Sequence, residues 1–245
     1  MAGKLTTIGF DADDTLWHNE RFFRMTQDRF AELLVDFCEQ DHLEERLLEA
    51  EKRNLGHYGF GVKGFVLSMI ETAIDVTDAR VPASVISELM QAGRDMLNHP
   101  IDLLPHAAEA VAHCAEHHRV LLITKGDLLD QERKLAQSGL GEMFDGVEIV
   151  SDKRQSTYES IFERHGDGPH QGMMVGNSMK SDVVPMVQAG GWGVYVPHGL
   201  TWALEQADPP QQASKYHHID TLHALPDLVD QLSERSSAAL GRAPI

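Results

Sequence analysis

Beyond Pro105 the chain alternates between short apolar runs and longer segments of helical spacing, and this alternation narrows the possible folds more than any other feature. Val120 to Thr124, Val147 to Val150, Met173 to Val175 and Gly193 to Val196 have strand length and apolar, mostly β-branched content. Tyr216 to Ile219 reads as one more strand, and the segments between read as helices: Ala107 to His118, Leu128 to Gln137, Thr157 to Arg164, Asp182 to Ala189 and finally Leu222 to Leu232. Such a pattern needs a crossover after each strand, which predicts an α/β fold with a mainly parallel sheet and helices on both faces.

A further apolar run, Leu5 to Phe10, stands apart near the start. From Trp17 to about Asp102 the spacing is helical only, with stripes at Phe23, Phe30, Leu34 and Phe37, at Val66, Met69, Ile70 and Ala73, and at Val85, Ile86, Leu89 and Met90. Pro82 suits a helix start, and the glycine-punctuated stretch Gly56 to Gly64 reads as a loop. The expected organisation is therefore a discontinuous α/β core over 1–16 and 103–235, a helical domain over 17–102 placed as a cap beside the end of the first strand, and a disordered tail over 236–245.

The first strand runs into Asp11-Ala12-Asp13-Asp14-Thr15, three carboxylates and a hydroxyl in five residues. Carboxyl ends of strands are where open α/β sheets bind ligands. Acids crowded there repel one another unless a cation and an anionic group share the space. If the chain stays extended through Ala12, Asp11 and Asp13 share one side. One can then attack phosphorus and the other can move a proton to the leaving oxygen. A turn that merely caps the next helix needs only one of these residues.

Other strand ends carry weaker signals. Thr124, Lys125 and Gly126 offer a hydroxyl and free-turning backbone that can hold a phosphate oxygen, although such residues often only cap a helix. Lys153 can neutralise a carboxylate or a transferred phosphoryl group. Asn177 and Asp182, in Val175-Gly176-Asn177-Ser178-Met179-Lys180-Ser181-Asp182, supply hard oxygen donors of the kind Mg²⁺ prefers, or else an Asn/Ser turn and an acid at a helix start.

Taken in this order, the four segments resemble the motifs of the haloacid dehalogenase-like hydrolase superfamily, in the phosphatase branch whose helical cap is inserted after the first motif. The resemblance covers the chain up to its tail and implies a three-layer, Rossmann-like core. It implies that Asp11 is the nucleophile and Asp13 the general acid/base, that Thr124 with Lys125 and Gly126 binds phosphate, and that Lys153 stabilises charge. Mg²⁺ would then be held by Asp11, by Asp13 through its backbone carbonyl, and by Asp182. Dehalogenases of the family lack an acid at the position of Asp13, so the resemblance implies phosphoryl transfer. Three positions depart from the family pattern: Asp14 stands where glycine is common, Arg154 follows Lys153 where proline is frequent, and Asn177 replaces an acid. The second leaves Lys180 as a rival to Lys153. The third removes a negative charge, so Mg²⁺ is expected to bind more weakly than in relatives with Asp there.

Trp17, His18, Asn19 and Glu20 follow the first motif directly and are expected at the hinge of the helical insert. Lys63 is either a reader of a second anionic group or an exposed lysine on a loop. A formal net charge of −17 excludes nucleic acid and anionic membrane surfaces as partners, so a phosphate substrate must be captured by local positive groups. No apolar run is long enough to span a bilayer, no charged-then-apolar leader precedes the first strand, and only two cysteines occur. Together these lead us to expect a cytoplasmic protein. The sequence predicts Mg²⁺-dependent hydrolysis of a small phosphorylated metabolite through an aspartyl-phosphate. A phosphomutase or other phosphotransferase with the same aspartates, and a catalytically weakened phosphate-binding protein, are the competing readings.

Overall fold

The structure is a computed structural model that describes residues 4–211 and 214–240, with side chains described to residue 234. The chain divides into two compact units. The first comprises Met1–His18, Ile101–Thr124 and Lys134–Ile245, and the second Asn19–Pro100 and Lys125–Arg133.

The first unit is built on a six-stranded sheet. Its strands are β1 (Thr7–Phe10), β2 (Arg119–Lys125), β3 (Gly146–Val150), β4 (Gly172–Gly176), β5 (Trp192–Tyr195) and β6 (Tyr216–His218), in the order β3-β2-β1-β4-β5-β6. β1 pairs in parallel with β2 and β4, and β5 in parallel with β4 and β6. This is the Rossmann-like order, in which the direction of winding reverses between the first and fourth strands and opens a crevice at their carboxyl ends.

The twofold alternation of side chains along each strand supplies both faces. Ile8, Phe10, Val120, Leu122, Met173, Val175 and Val194 pack on one side with α5 (Ala107–Ala115) and α9 (Leu225–Leu240). Leu121, Ile123 and Met174 pack on the other with Tyr158, Ile161 and Phe162 of α7 (Gln155–His165) and with Met186 of α8 (Val184–Gln188). The result is three layers, helix on sheet on helix. The segment expected as a disordered tail differs: α9 continues to Leu240, because Ala238, Ala239 and Leu240 are good helix formers and extending an existing helix needs no new nucleus. Residues 241–245 of that tail lie outside the described residues.

The second unit holds α1 (Glu20–Leu34), α2 (Gln40–Tyr58), α3 (Val62–Val76) and α4 (Ala83–Asn98). Phe30, Leu34, Leu43, Leu47, Phe65, Met69, Ala73, Val85 and Leu89 form its core. Phe37 and Met90 do not belong to the buried stripe; both are exposed, and α1 has ended before Phe37. The glycine-rich loop is also much shorter than its composition suggests. Gly56 lies within α2 and Gly64 within α3, leaving only Gly59 to Gly61 between the helices. Gly64 is there for close approach, since a Cβ would stand 2.9 Å from the Gly59 carbonyl oxygen and 3.3 Å from Tyr58 Cβ. Gly56 has no such reason: it is exposed, and a Cβ there would meet nothing within 4 Å. Gly56→Ala is therefore expected to stabilise the helical unit by about 0.5–1 kcal/mol, read as a higher urea midpoint with an unchanged slope.

Candidate active site

The site grows from the carboxyl end of β1. The backbone N–H of Asp11 still donates to the Val175 carbonyl (2.9 Å), so Asp11 is the last residue held in the sheet. The chain then turns: the N–H groups of Thr15 and Leu16 both donate to the Ala12 carbonyl. This one turn stacks Thr15 against Asp11, and the Thr15 hydroxyl lies 3.0 Å from Asp11 Oδ2 and 3.3 Å from Asn177 Oδ1. The same hydroxyl accepts from the Asn177 N–H (3.0 Å), which joins the ends of β1 and β4.

Lys153 arrives from the loop after β3. Its Nζ donates to Asp11 Oδ1 at 2.5 Å and to Asp182 Oδ1 at 2.7 Å, and all three side chains are buried. Asp182 sits in a π-helical turn, Met179–Val183, where the N–H of Val183 reaches back five residues to the Ser178 carbonyl. Widened turns of this type are rare and are frequently found at functional sites. The other carboxylate oxygen, Asp182 Oδ2, accepts from the Ser178 N–H at 2.9 Å. Gly176 makes room for that carboxylate, since a Cβ on it would stand 2.2 Å from Asp182 Oδ2.

Electrostatics follow from this crowding. Burial pushes the Asp11 carboxyl up to about 7; Lys153 opposes the shift, and Asp182 and, least of all, Asp13 add to it. Burial alone disfavours the Lys153 ammonium, but the two carboxylates outweigh it and raise its pKa above the ordinary lysine value. Two carboxylates therefore share one buried cation. Asp11, Asp182 and the Asn177 amide form an all-oxygen donor set next to this excess negative charge, and such a set fits a hard divalent cation such as Mg²⁺.

Asp13 faces different partners. Its Oδ1 accepts from the Trp17 indole N–H (2.7 Å), and Lys134 Nζ lies 2.9 and 3.1 Å from its two oxygens. Thr124 is buried at the end of β2, the strand beside β1. Lys180, the sequence rival to Lys153, instead donates to the Leu204 carbonyl at 2.7 Å. Lys63, Lys125 and Gly126 belong to the helical unit. There Lys63 lies 3.2 Å from Asp127 Oδ1, and Lys125 Nζ stands 4.0 Å from the centre of the Phe60 ring.

Sequence reasoning gave no role to three contributors. Thr15 was legible in principle, being four residues beyond Asp11 on a turn. Lys134 was not, because only the packing of α6 (Leu128–Ser138) brings a mid-helix lysine to Asp13. Nor was Glu205, whose Oε2 accepts from the hydroxyls of both Ser178 and Ser181 at 2.5 Å and so braces the turn that carries Asp182.

The chain belongs to the haloacid dehalogenase-like hydrolases, whose family pattern matches it over residues 5–190. It is similar to a haloacid dehalogenase-like family hydrolase from Xanthomonas campestris, with 35% identity over 96% of this chain and 99% of that one and a TM-score of 0.85. Two more distant structures share the fold. YfnB of Bacillus subtilis, a HAD-hydrolase-type protein described in a form bound to magnesium, has 15% identity, coverage of 93% and 99%, and a TM-score of 0.65. The L-2-haloacid dehalogenase of Xanthobacter autotrophicus, with chloropropionic acid covalently bound, has 17% identity, coverage of 92% and 98%, and a TM-score of 0.63. No curated protein matches the chain.

The raised Asp11 pKa has a sign. A carboxyl that holds its proton more tightly when folded adds stability below its unfolded pKa of 3.8, and loses it as pH rises through about 7. In metal-free protein, Asp11→Asn should leave thermal stability nearly unchanged only below about pH 4, and stabilise increasingly as pH rises towards 7. At pH 8 it should raise Tm by several degrees, for a gain on the order of 2–4 kcal/mol.

Proposed function

We propose that the protein is a Mg²⁺-dependent phosphomonoester hydrolase that works through an aspartyl-phosphate on Asp11. The observation that carries this reading is the buried cluster in which Asp11 and Asp182 share the single ammonium of Lys153. Mg²⁺ held by Asp11, Asp182, the Asn177 amide oxygen and the Asp13 backbone carbonyl would supply the charge that keeps Asp11 ionised and draws in a phosphate.

In the first step an Asp11 carboxylate oxygen attacks phosphorus, the bond from phosphorus to the leaving oxygen breaks, and Asp13 gives that oxygen its proton. In the second, the Asp13 carboxylate takes a proton from water as the water attacks phosphorus, which frees phosphate and restores Asp11. Lys153 offsets charge on the transferred group, and the Thr124 hydroxyl holds one of its oxygens. Trp17 and Lys134 orient the Asp13 carboxylate. The substrate class is a small phosphorylated metabolite. No described helix is long and apolar enough to cross a membrane, and Cys38 and Cys114 are both free thiols, as a reducing cytoplasm would keep them.

The Xanthobacter relative raises carbon–halogen cleavage as a second reading, with the same nucleophile attacking carbon. A leaving halide takes no proton, however, and that chemistry gives Asp13 no task as the acid of the first step. The first test is release of free phosphate from an aryl phosphate with Mg²⁺, lost at least 10³-fold in Asp11→Asn. Chloride release from 2-chloropropionate without phosphatase turnover would overturn the reading, and transfer of the phosphoryl group to a sugar rather than to water would recast it as a mutase.

Two variants test the assigned roles. Asp13→Asn should lower kcat/KM for alkyl phosphates by about 10²–10⁴ but cost far less in kcat/KM with nitrophenyl phosphate, whose leaving group needs no proton in the first step. Asn177→Asp should lower the Mg²⁺ concentration for half-maximal turnover roughly tenfold; an unchanged requirement would show that the missing charge does not limit metal binding.

A further inference from the structure

Asp14 takes no part in the contacts of Lys153 with Asp11 and Asp182. It is 7% exposed and has φ +60°, a left-handed conformation that Asp tolerates better than most residues. Its N–H donates to the Trp17 carbonyl (2.7 Å), which closes the turn. The carboxylate is thereby brought beside two histidines, His18 at the end of the same turn and His198 in the loop after β5. Asp14 Oδ1 is 3.6 Å from His198 Nδ1, and one donor atom from each of the three residues lies within 4.8 Å of the other two. The imidazoles meet edge to face, with centroids 5.8 Å apart. Among the described residues this is the one grouping of three His, Cys, Asp or Glu side chains so disposed.

We propose that Asp14, His18 and His198 form a binding site for a late first-row divalent cation, with Zn²⁺ as its representative, separate from the Mg²⁺ donor set of Asp11, Asp182 and Asn177. The donor chemistry decides the class of ion. Two neutral imidazoles favour Zn²⁺ and its neighbours, whereas Mg²⁺ takes oxygen donors and parts reluctantly with water. Three protein ligands also leave a fourth position open to water or to an oxygen of a bound anion.

The geometry needs little change. Ligands around tetrahedral Zn²⁺ at about 2.0–2.1 Å stand about 3.4 Å apart, so the Asp14–His198 pair is near its bound spacing and His18 must close by at most about 1.4 Å. His198 Nδ1 also lies 3.0 Å from the Leu200 carbonyl. Ligation through this nitrogen, the one set beside Asp14, requires it to give up the Leu200 carbonyl, with the ring proton then carried on Nε2. The His18 N–H donates to the Asp102 carbonyl at 3.0 Å, which anchors the ligand's backbone. An occupied site would tie the Asp13-to-His18 turn, including the Trp17 that holds Asp13, to the loop after β5.

The site is tested on the full chain, stripped of metal and titrated with Co²⁺ in millimolar Mg²⁺. The visible absorption of Co²⁺ reports ligation independently of turnover, and equilibrium dialysis with Zn²⁺ gives stoichiometry. One equivalent should bind at micromolar concentration or tighter, with His18→Ala and His198→Gln each weakening binding at least tenfold. Asp11→Asn should bind unchanged, so that failure of the phosphatase reading and failure of this one stay distinguishable. His198→Gln, on a loop, guards against misfolding of His18→Ala, with folding of each variant checked by circular dichroism. The proposal is overturned by absence of binding to the folded wild-type chain, by binding that survives both histidine variants, or by binding lost in Asp11→Asn or displaced by Mg²⁺.

Discussion

Lys153 lies between Asp11 and Asp182 in a space from which water is almost excluded, and much of the sheet unit serves to hold those three groups together. Each comes from the end of a different strand: Asp11 from β1, Lys153 from beyond β3, Asp182 from beyond β4. None of them would remain charged in that interior alone, because desolvation of one ion costs several kcal/mol. The backbone meets the same constraint: Gly176 withholds a side chain where the Asp182 carboxylate must lie, and the π-helical turn widens to bring that carboxylate to Lys153. Removal of Lys153 would leave two buried carboxylates facing each other with no cation between them.

The sheet was legible in the sequence because each strand carries its own signature, a short apolar run with a turn or a polar cluster after it. The three layers follow from alternation within those runs, as Leu121 and Ile123 face one helical layer while Val120 and Leu122 face the other. The helical unit was harder to read at its joints. Glycines at 56, 59, 61 and 64 look alike in sequence, yet two lie inside helices and two have positive φ between them. Length and packing, not composition, separate these cases.

At the candidate site the groups on strand ends were legible and their partners were not. Position alone could not rank Lys153 above Lys180; the choice depends on which loop turns inward, and Lys180 ends on a backbone carbonyl. Lys134 and Glu205 act through tertiary packing of segments whose spacing carries no mark of it. Asp14 shows the opposite fault. Treated as a stand-in for glycine in the first motif, it has both the backbone angle that glycine would supply and a side chain set against two histidines.

The order in which the strands are made differs from the order in which they pair. β1 leaves the ribosome first, yet its neighbours in the finished sheet, paired at Thr7 with Arg119 and with Gly172, are made much later. At about 5–20 residues per second, this strand, wholly buried in the finished fold, waits on the order of ten seconds before its second edge can be covered. The helices that follow it can pack through local contacts meanwhile, and so stand complete while the nucleophile's strand is still unpaired. The interval between synthesis of β1 and of β4 is therefore the stage at which this strand's edges are open to pairing with other chains.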